Sequence, residues 1–178
     1  MRITGRRENR DGQEVLVLTR KFRAGIEDVW AAVSDPDRMR RWIGTWSGDP
    51  AAGSIAFRMT AEGDDVPEEV YDIESCEPPG RFAVRSRAAA PFSEDGSGER
   101  VHWALRVDLV EKDGVTTLTF VQALADGPLG PDMVASVGPG WEYYLDRLVA
   151  AMDGTDVDAV AWSDYESGSA AYRALFTD

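Results

Sequence analysis

The sequence of 178 residues contains one cysteine and one histidine. Cys76 has no partner for an intramolecular disulfide, and its position at the end of a strand with no cationic neighbour predicts a small buried hydrophobic residue. His102 alone cannot form the histidine and cysteine shells that hold metals. P-loop, complete dinucleotide-binding and nucleophile-elbow motifs are also absent. We therefore expect no metal, no cofactor and no catalytic residues.

Long apolar runs and an excess of positive charge are missing as well. No run approaches the roughly 18 apolar residues that span a bilayer, and the Arg-rich start is not followed by the apolar segment of a secretory signal. We expect a cytoplasmic protein that does not bind membranes. Because 32 acidic residues outnumber 19 basic ones, the net charge of −13 would repel a phosphate backbone, so nucleic acid is not an expected partner.

The sequence does contain enough apolar residues for one compact domain, with 43% hydrophobic residues that include six Trp, six Phe and five Tyr. Alternating apolar residues predict up to six strands in meander order. They lie at 14–22, 54–59, 68–76, 81–87, 101–109 and 116–123. Alternation also places His102 on the outer face of its strand, opposite Trp103, as a surface histidine.

Apolar residues at spacings of three and four predict helices. A first helix covers 26–33, and a short second one covers 37–43 after the break at Asp35-Pro36. A long amphipathic helix carries one apolar stripe: Val134, Val137, Trp141, Tyr144, Leu145, Leu148 and Met152. Pro139 predicts either a kink in this helix or its start.

The order of these elements predicts an α+β fold in which a curved antiparallel sheet wraps around the long C-terminal helix. Three segments are expected: a flexible basic N-terminus (1–13), the sheet-and-helix domain (14–152) and an acidic, aromatic C-terminal tail (153–178). If the tail stands free, its aromatic residues form an exposed patch that could support a homodimer; the alternative is packing on its own domain, for example on the outer sheet face.

Several motifs in this order resemble one family. They are Glu27-Asp28-Val29-Trp30, Asp35-Pro36 followed by Trp42, the strand 116–120, and the helix 140–148 that begins Gly140-Trp141-Glu142. Together they resemble the START/SRPBCC helix-grip superfamily, and within it proteins similar to the activator of the heat-shock-protein-90 ATPase. The resemblance covers about residues 14–152. It implies a deep apolar cavity between sheet and helix that holds hydrophobic small molecules.

The predicted inward faces supply candidate ligand-binding residues, which are mostly apolar with a few polar tips. They are Trp42, Trp46, Phe57, Met59, Tyr71, Phe82, Trp103, Leu105, Phe120, Gln122, Val137, Trp141 and Tyr144, with Trp42 and Trp46 near the mouth. The alternative is that these side chains fill a solid core. Gln122 is the most informative polar residue, because a buried amide needs a partner; we expect the Tyr144 hydroxyl or a ligand.

Three functions remain open. The first is binding of a hydrophobic or aromatic small molecule without catalysis. The second is a polyketide cyclase or aromatase, in which Gln122, Tyr144 or Tyr71 polarises a carbonyl. The third, suggested by the resemblance to a chaperone ATPase activator, is interaction with a chaperone or client through the C-terminal aromatic residues.

Overall fold

The computed structural model describes residues 3–63, 65–91 and 100–177. Its strands are β1 (Arg6–Arg10), β2 (Gln13–Phe22), β3 (Thr45–Ser47), β4 (Ser54–Arg58), β5 (Glu69–Glu77), β6 (Arg81–Ser86), β7 (Ala90–Pro91), β8 (Arg100–Val101), β9 (Trp103–Lys112) and β10 (Val115–Leu124). Eight of them form one antiparallel sheet in the order β1-β2-β10-β9-β6-β5-β4-β3, and β7 pairs with β8.

Four α-helices accompany the sheet: α1 (Ile26–Ser34), α2 (Pro36–Met39), α3 (Pro131–Asp153) and α4 (Ser169–Leu175). Short 3-10 turns connect several elements, three of them between α3 and α4. Helix α3 packs on the inner face of the sheet. The predicted α+β helix-grip fold, with two short helices after the first long strand, is therefore confirmed.

Local sequence explains the main boundaries. The Asp35 side chain accepts hydrogen bonds from the backbone N–H groups of Asp37 and Arg38, which caps α2. Asp113 and Gly114 both adopt positive φ angles, 53° and 74°, as a two-residue turn between β9 and β10 requires. The second helix ends at Met39 rather than at residue 43, and the backbone N–H groups of Trp42, Ile43 and Gly44 then all converge on the Met39 carbonyl in a closing turn.

Two edge strands were not predicted. Residues 6–10, expected to be flexible, form β1, whose backbone pairs with β2 from Arg6 opposite Val17 to Arg10 opposite Gln13. This strand lacks alternating apolar residues, so pairing rather than burial holds it. Strand β3 has only three residues. The prediction for Cys76 was also wrong, since this residue is exposed beside the turn that ends β5.

Helix α3 runs without interruption through Pro139, so the prediction of a helix start at that residue was wrong. The helix begins eight residues earlier, with Pro131 in its first turn, where proline needs no hydrogen-bonded N–H. The C-terminal tail lies on α3 and not on the outer sheet face. Its residues Tyr172 and Phe176 are 0% and 6% exposed.

A buried carboxylate joins these parts. Glu142, on α3, is 2% exposed. One of its oxygens accepts hydrogen bonds from the Tyr172 hydroxyl (2.6 Å) and the backbone N–H groups of Thr4 and Gly5; the other accepts from the Thr4 hydroxyl (2.8 Å) and the Arg20 guanidinium (2.7 Å). Five donors from the N-terminal segment, β2 and α4 thus converge on one side chain. We call this arrangement the Glu142 hub.

The hub sets a pH dependence of stability. Burial raises the pKa of Glu142, but hydrogen bonds from Tyr172, Thr4 and Arg20 outweigh it and hold the pKa below its ordinary value of 4.5. A lowered pKa in the folded state means that the carboxylate stabilises the fold above pH 4.5 and loses this effect as the pH falls through the folded-state pKa. We expect Glu142→Gln to lower the free energy of unfolding by about 3 kcal/mol at pH 7.

Urea unfolding at pH 7 and at acidic pH measures this effect. The difference in unfolding free energy between wild type and Glu142→Gln should narrow as the pH falls below 4.5 and through the folded-state pKa of Glu142, since the wild-type residue then becomes neutral as well. Glu166→Gln is the matched control, because Glu166 is exposed and has no ion pair or side-chain hydrogen bond among the described residues. Equal effects of the two substitutions at pH 7 would contradict the role of the hub.

Substitutions of two glycines in α3 should change the stability of the protein in opposite directions. A Cβ atom at Gly138 would lie 2.4 Å from Cγ of Tyr172, whereas a Cβ at Gly140 would meet nothing within 4 Å. Gly138→Ala should therefore displace Tyr172 and destabilise the protein by about 2 kcal/mol. Gly140→Ala should stabilise it by about 0.5 kcal/mol through helix propensity. Thermal unfolding of both variants tests this pair, and a stabilising Gly138→Ala would refute the close packing of Tyr172.

Candidate functional site

Helix α3 covers only one half of the inner sheet face. Its contacts to the sheet are concentrated on β2, and the ion pairs from Arg20 to Glu142 and Asp146 fix it there. Inward-facing residues of β2, β10 and the adjoining part of β9 are consequently buried: Leu16, Leu18, Phe22, Val107, Leu109, Leu118 and Phe120. This half of the sheet is closed by the protein's own side chains.

The other half of the inner face remains open. Strand register places one row of apolar side chains on the same side of the sheet as the buried residues. Most of them are half-buried: Trp46, Ile55, Phe57, Ile73, Phe82, Val84, Trp103 and Leu105. Met59 after β4, and Val137 and Trp141 on α3, are half-buried too. Together these residues form a partly exposed apolar face beside α3, which we call the grip groove.

The thirteen residues predicted to bind a ligand fall into two groups by burial. Five are buried: Trp42, Tyr71, Phe120, Gln122 and Tyr144. Eight are half-buried: Trp46, Phe57, Met59, Phe82, Trp103, Leu105, Val137 and Trp141. Their assignment to ligand binding stays a prediction.

Gln122 is the polar residue of the groove wall. Its Oε1 accepts a hydrogen bond from the indole N–H of Trp141, whose ring stacks on Phe120 with centroids 4.1 Å apart. Since an indole N–H can only donate, the other end of the amide is the NH₂ group. That group has no hydrogen-bond partner among the described residues and is not one of their fully buried unpaired atoms. A donor therefore remains within reach of solvent.

The expected partnership of Gln122 with Tyr144 was wrong. The Tyr144 hydroxyl instead donates to Glu62 at 2.7 Å, and the Tyr71 hydroxyl donates to Glu69 at 3.0 Å. Burial and the neighbouring carboxylate raise the pKa of each tyrosine, so both hydroxyl groups stay protonated at neutral pH. Neither hydroxyl proton is left free to polarise a ligand.

The two tryptophans expected at the mouth have structural contacts. The indole N–H of Trp42 donates to the Ala32 carbonyl and that of Trp46 to the Ser34 carbonyl, both at 2.9 Å. Trp42 is 6% exposed and belongs to the core, whereas Trp46 is half-buried. These hydrogen bonds fix the end of α1 against the segment that enters β3.

Side chains outside the grip groove line two other pockets in the described part of the chain. One is an open cleft of about 470 Å³ beside the Glu142 hub, where Arg20 forms ion pairs with both Glu142 and Asp146. The other, of about 170 Å³, lies near the start of α3 and is lined in part by His102. His102, expected on the open surface, is half-buried here because the strand is interrupted between β8 and β9.

Sequence reasoning missed the Glu142 hub, although a second stripe on α3 could have revealed it. Ala135, Gly138 and Glu142 lie three and four residues apart and are all buried, which shows that α3 is covered on two sides. Within the described ranges, no three histidine, cysteine or acidic residues are grouped so that they could hold a metal ion, and no helix is long and apolar enough to cross a membrane.

Comparisons with solved structures support the fold. CalU16 from Micromonospora echinospora has a TM-score of 0.66 at 23% identity, with 97% of each chain covered. A conserved protein of unknown function from Enterococcus faecalis has a TM-score of 0.67 at 14% identity, covering 98% of this chain and 92% of that one. DynU16, a protein in the dynemicin biosynthetic locus, has a TM-score of 0.57 at 21% identity, covering 80% of this chain and 49% of that one.

No curated protein sequence matches the chain. A family model does match it, over residues 23–153, which include both short helices, the strands from β3 to β10 and all of α3. Because this match covers well over half of the sequence, the chain belongs to the family of Activator of Hsp90 ATPase homolog 1-like proteins.

Proposed function

We propose that the protein binds a hydrophobic small molecule in the grip groove. The observation that carries this proposal is the row of apolar side chains on the inner sheet face that α3 leaves half-exposed. Contiguous apolar surface is costly in water, at about 25 cal/mol per Å², and a patch of this kind is typical of binding sites. A ligand in the groove would cover the apolar side chains that the protein's own residues leave partly exposed.

A second observation favours a ligand with a hydrogen-bond acceptor. The free NH₂ group of Gln122 is a donor set in an apolar wall. An apolar molecule with a carbonyl group would satisfy this donor, which supports the polyketide cyclase or aromatase alternative, with Gln122 as the group that polarises the carbonyl. The occurrence of DynU16 in a biosynthetic locus is compatible with such a ligand. A purely binding role needs the same contact without turnover.

The burial of aromatic residues in the C-terminal tail argues against the chaperone and homodimer hypotheses. Both required the tail aromatics to be available, but Tyr172 and Phe176 are buried against the rest of the chain. Trp162 is 46% exposed and contacts Tyr143 with ring centroids 5.7 Å apart. A single exposed tryptophan is too small a patch to support either hypothesis.

Binding in the groove can be measured with the neutral fluorophore N-phenyl-1-naphthylamine. We expect the wild-type protein to enhance its fluorescence saturably and Leu105→Lys, which puts an ammonium group into the groove, to weaken binding at least about tenfold. Val110→Lys adds the same charge to the same strand at a position that is 64% exposed, and it should bind like wild type. Equal weakening by both substitutions, or no saturable binding to the wild-type protein, would overturn the proposal.

The role of Gln122 can be tested with two ligands of equal shape. We expect 2-acetylnaphthalene to bind the wild-type protein about fivefold more tightly than 2-isopropenylnaphthalene, in which a CH₂ group replaces the carbonyl oxygen, because only the ketone accepts a hydrogen bond from the amide. Gln122→Leu should abolish this preference and retain binding of both ligands. A preference that survives in Gln122→Leu would exclude the amide as the contact, and a wild-type protein that turns over no ring-forming ketone would rule out the enzyme alternative.

A further inference from the structure

The smaller pocket lies near the start of α3 and shares no lining residue with the grip groove. It measures about 170 Å³. Its walls combine apolar and polar side chains, chiefly Val101, Leu124, Met133, Arg100, His102 and Asp126. Gln122 and Trp141 do not line it. The pocket is therefore a site distinct from the ligand contacts proposed above, and it contains the only imidazole of the protein.

One nitrogen of that imidazole is already used. Nδ1 of His102 lies 2.9 Å from the carbonyl oxygen of Ser86. Because a carbonyl can only accept a hydrogen bond, the proton of the neutral ring must be on Nδ1. Nε2 is then an unprotonated acceptor, and it has no hydrogen-bond partner among the described residues. The nitrogen left to meet a ligand is thus Nε2.

The ring is also held in place by its surroundings. Ser86 is 3% exposed, and its hydroxyl oxygen accepts a hydrogen bond from the backbone N–H of Trp103 at 2.9 Å. The carbonyl of His102 in turn accepts from the backbone N–H of Ala125 at 2.8 Å. Contacts to β6 on one side and to the end of β10 on the other fix the backbone on both sides of the imidazole. An acceptor with a fixed orientation is the usual feature of a specific polar contact.

Size and charge define the ligand. A cavity of roughly 150 Å³ accommodates a benzene molecule, so one six-membered ring fits the volume of this pocket, and its mixed polar and apolar lining suits a ring that bears a polar group. Arg100 and Asp126 carry opposite charges and leave no net charge on the pocket lining, while the net charge of −13 on the protein disfavours anions. We propose that the pocket binds a neutral aromatic ring bearing a hydroxyl group, a phenol, whose O–H donates to Nε2 of His102.

The test compares p-cresol with toluene, which have the same shape except for the hydroxyl group. Nitrogen-15 NMR of the wild-type protein at pH 8 reports on His102 without any assignment step, since it is the sole histidine. We expect p-cresol to shift the Nε2 resonance and to bind about fivefold more tightly than toluene. In His102→Phe, which keeps an aromatic ring but no acceptor, the preference for p-cresol should disappear.

Each outcome decides the proposal. An Nε2 resonance that does not respond to p-cresol, or a preference that persists in His102→Phe, overturns it. Binding of N-phenyl-1-naphthylamine to His102→Phe checks that the variant is folded. If it is not folded, the wild-type protein alone tests the proposal: the Nε2 resonance should shift with p-cresol and should not shift with toluene. Because that fluorophore reports on the grip groove, its failure to bind the wild-type protein would refute the groove and leave the phenol result standing.

Discussion

The hydrogen-bonded carboxylate of Glu142 is the interaction on which the arrangement of the fold depends. A charged group that is 2% exposed is tolerated only where donors replace the water it has lost, and five donors do so here. These donors come from the N-terminal segment, from β2 and from α4. The same contact therefore positions α3 on the sheet and attaches both ends of the described chain to that helix.

The position of α3 in turn determines where the groove lies. Because Arg20 binds Glu142 and Asp146, the helix is anchored above β2 at one side of the sheet. Eight strands are too many for one helix to cover, so the inner face from β9 to β3 is shielded only in part. Helix α1 contributes there, with Trp30 in an edge-to-face contact with Phe82. The grip groove is thus a consequence of an off-centre helix.

Much of the fold could be predicted because alternating apolar residues mark the buried face of a strand, and apolar residues three or four apart mark the buried face of a helix. The long strands and α1 were placed to within a few residues, and the inward row that includes Trp103 and Leu105 was correctly oriented. Strand β1 could not be found in this way, since its stabilisation comes from backbone pairing and from charged side chains. Cys76 is exposed next to the last residue of β5, and an alternation pattern does not show where a strand leaves the packed part of a sheet.

The candidate site was predictable in its composition but not in its polar contacts. Aromatic residues on facing elements indicated a hydrophobic groove, yet which donor meets which acceptor depends on distances of a few tenths of an ångström. Gln122 needed a partner, and the partner is Trp141 rather than Tyr144. The N–H group of an indole and the hydroxyl of a tyrosine one turn of helix apart are equivalent in a sequence pattern and distinct in space.

The residues of the Glu142 hub lie far apart in the sequence, which affects folding during translation. Thr4 and Glu142 are 138 positions apart, and Tyr172 follows Glu142 by 30. During translation the sheet and α3 leave the ribosome before α4 does, so four of the five donors are available to the carboxylate before Tyr172, the fifth, has emerged. Full anchoring of α3 is thereby coupled to the emergence of α4, and a nascent chain that stalls between these two helices holds α3 with one donor fewer.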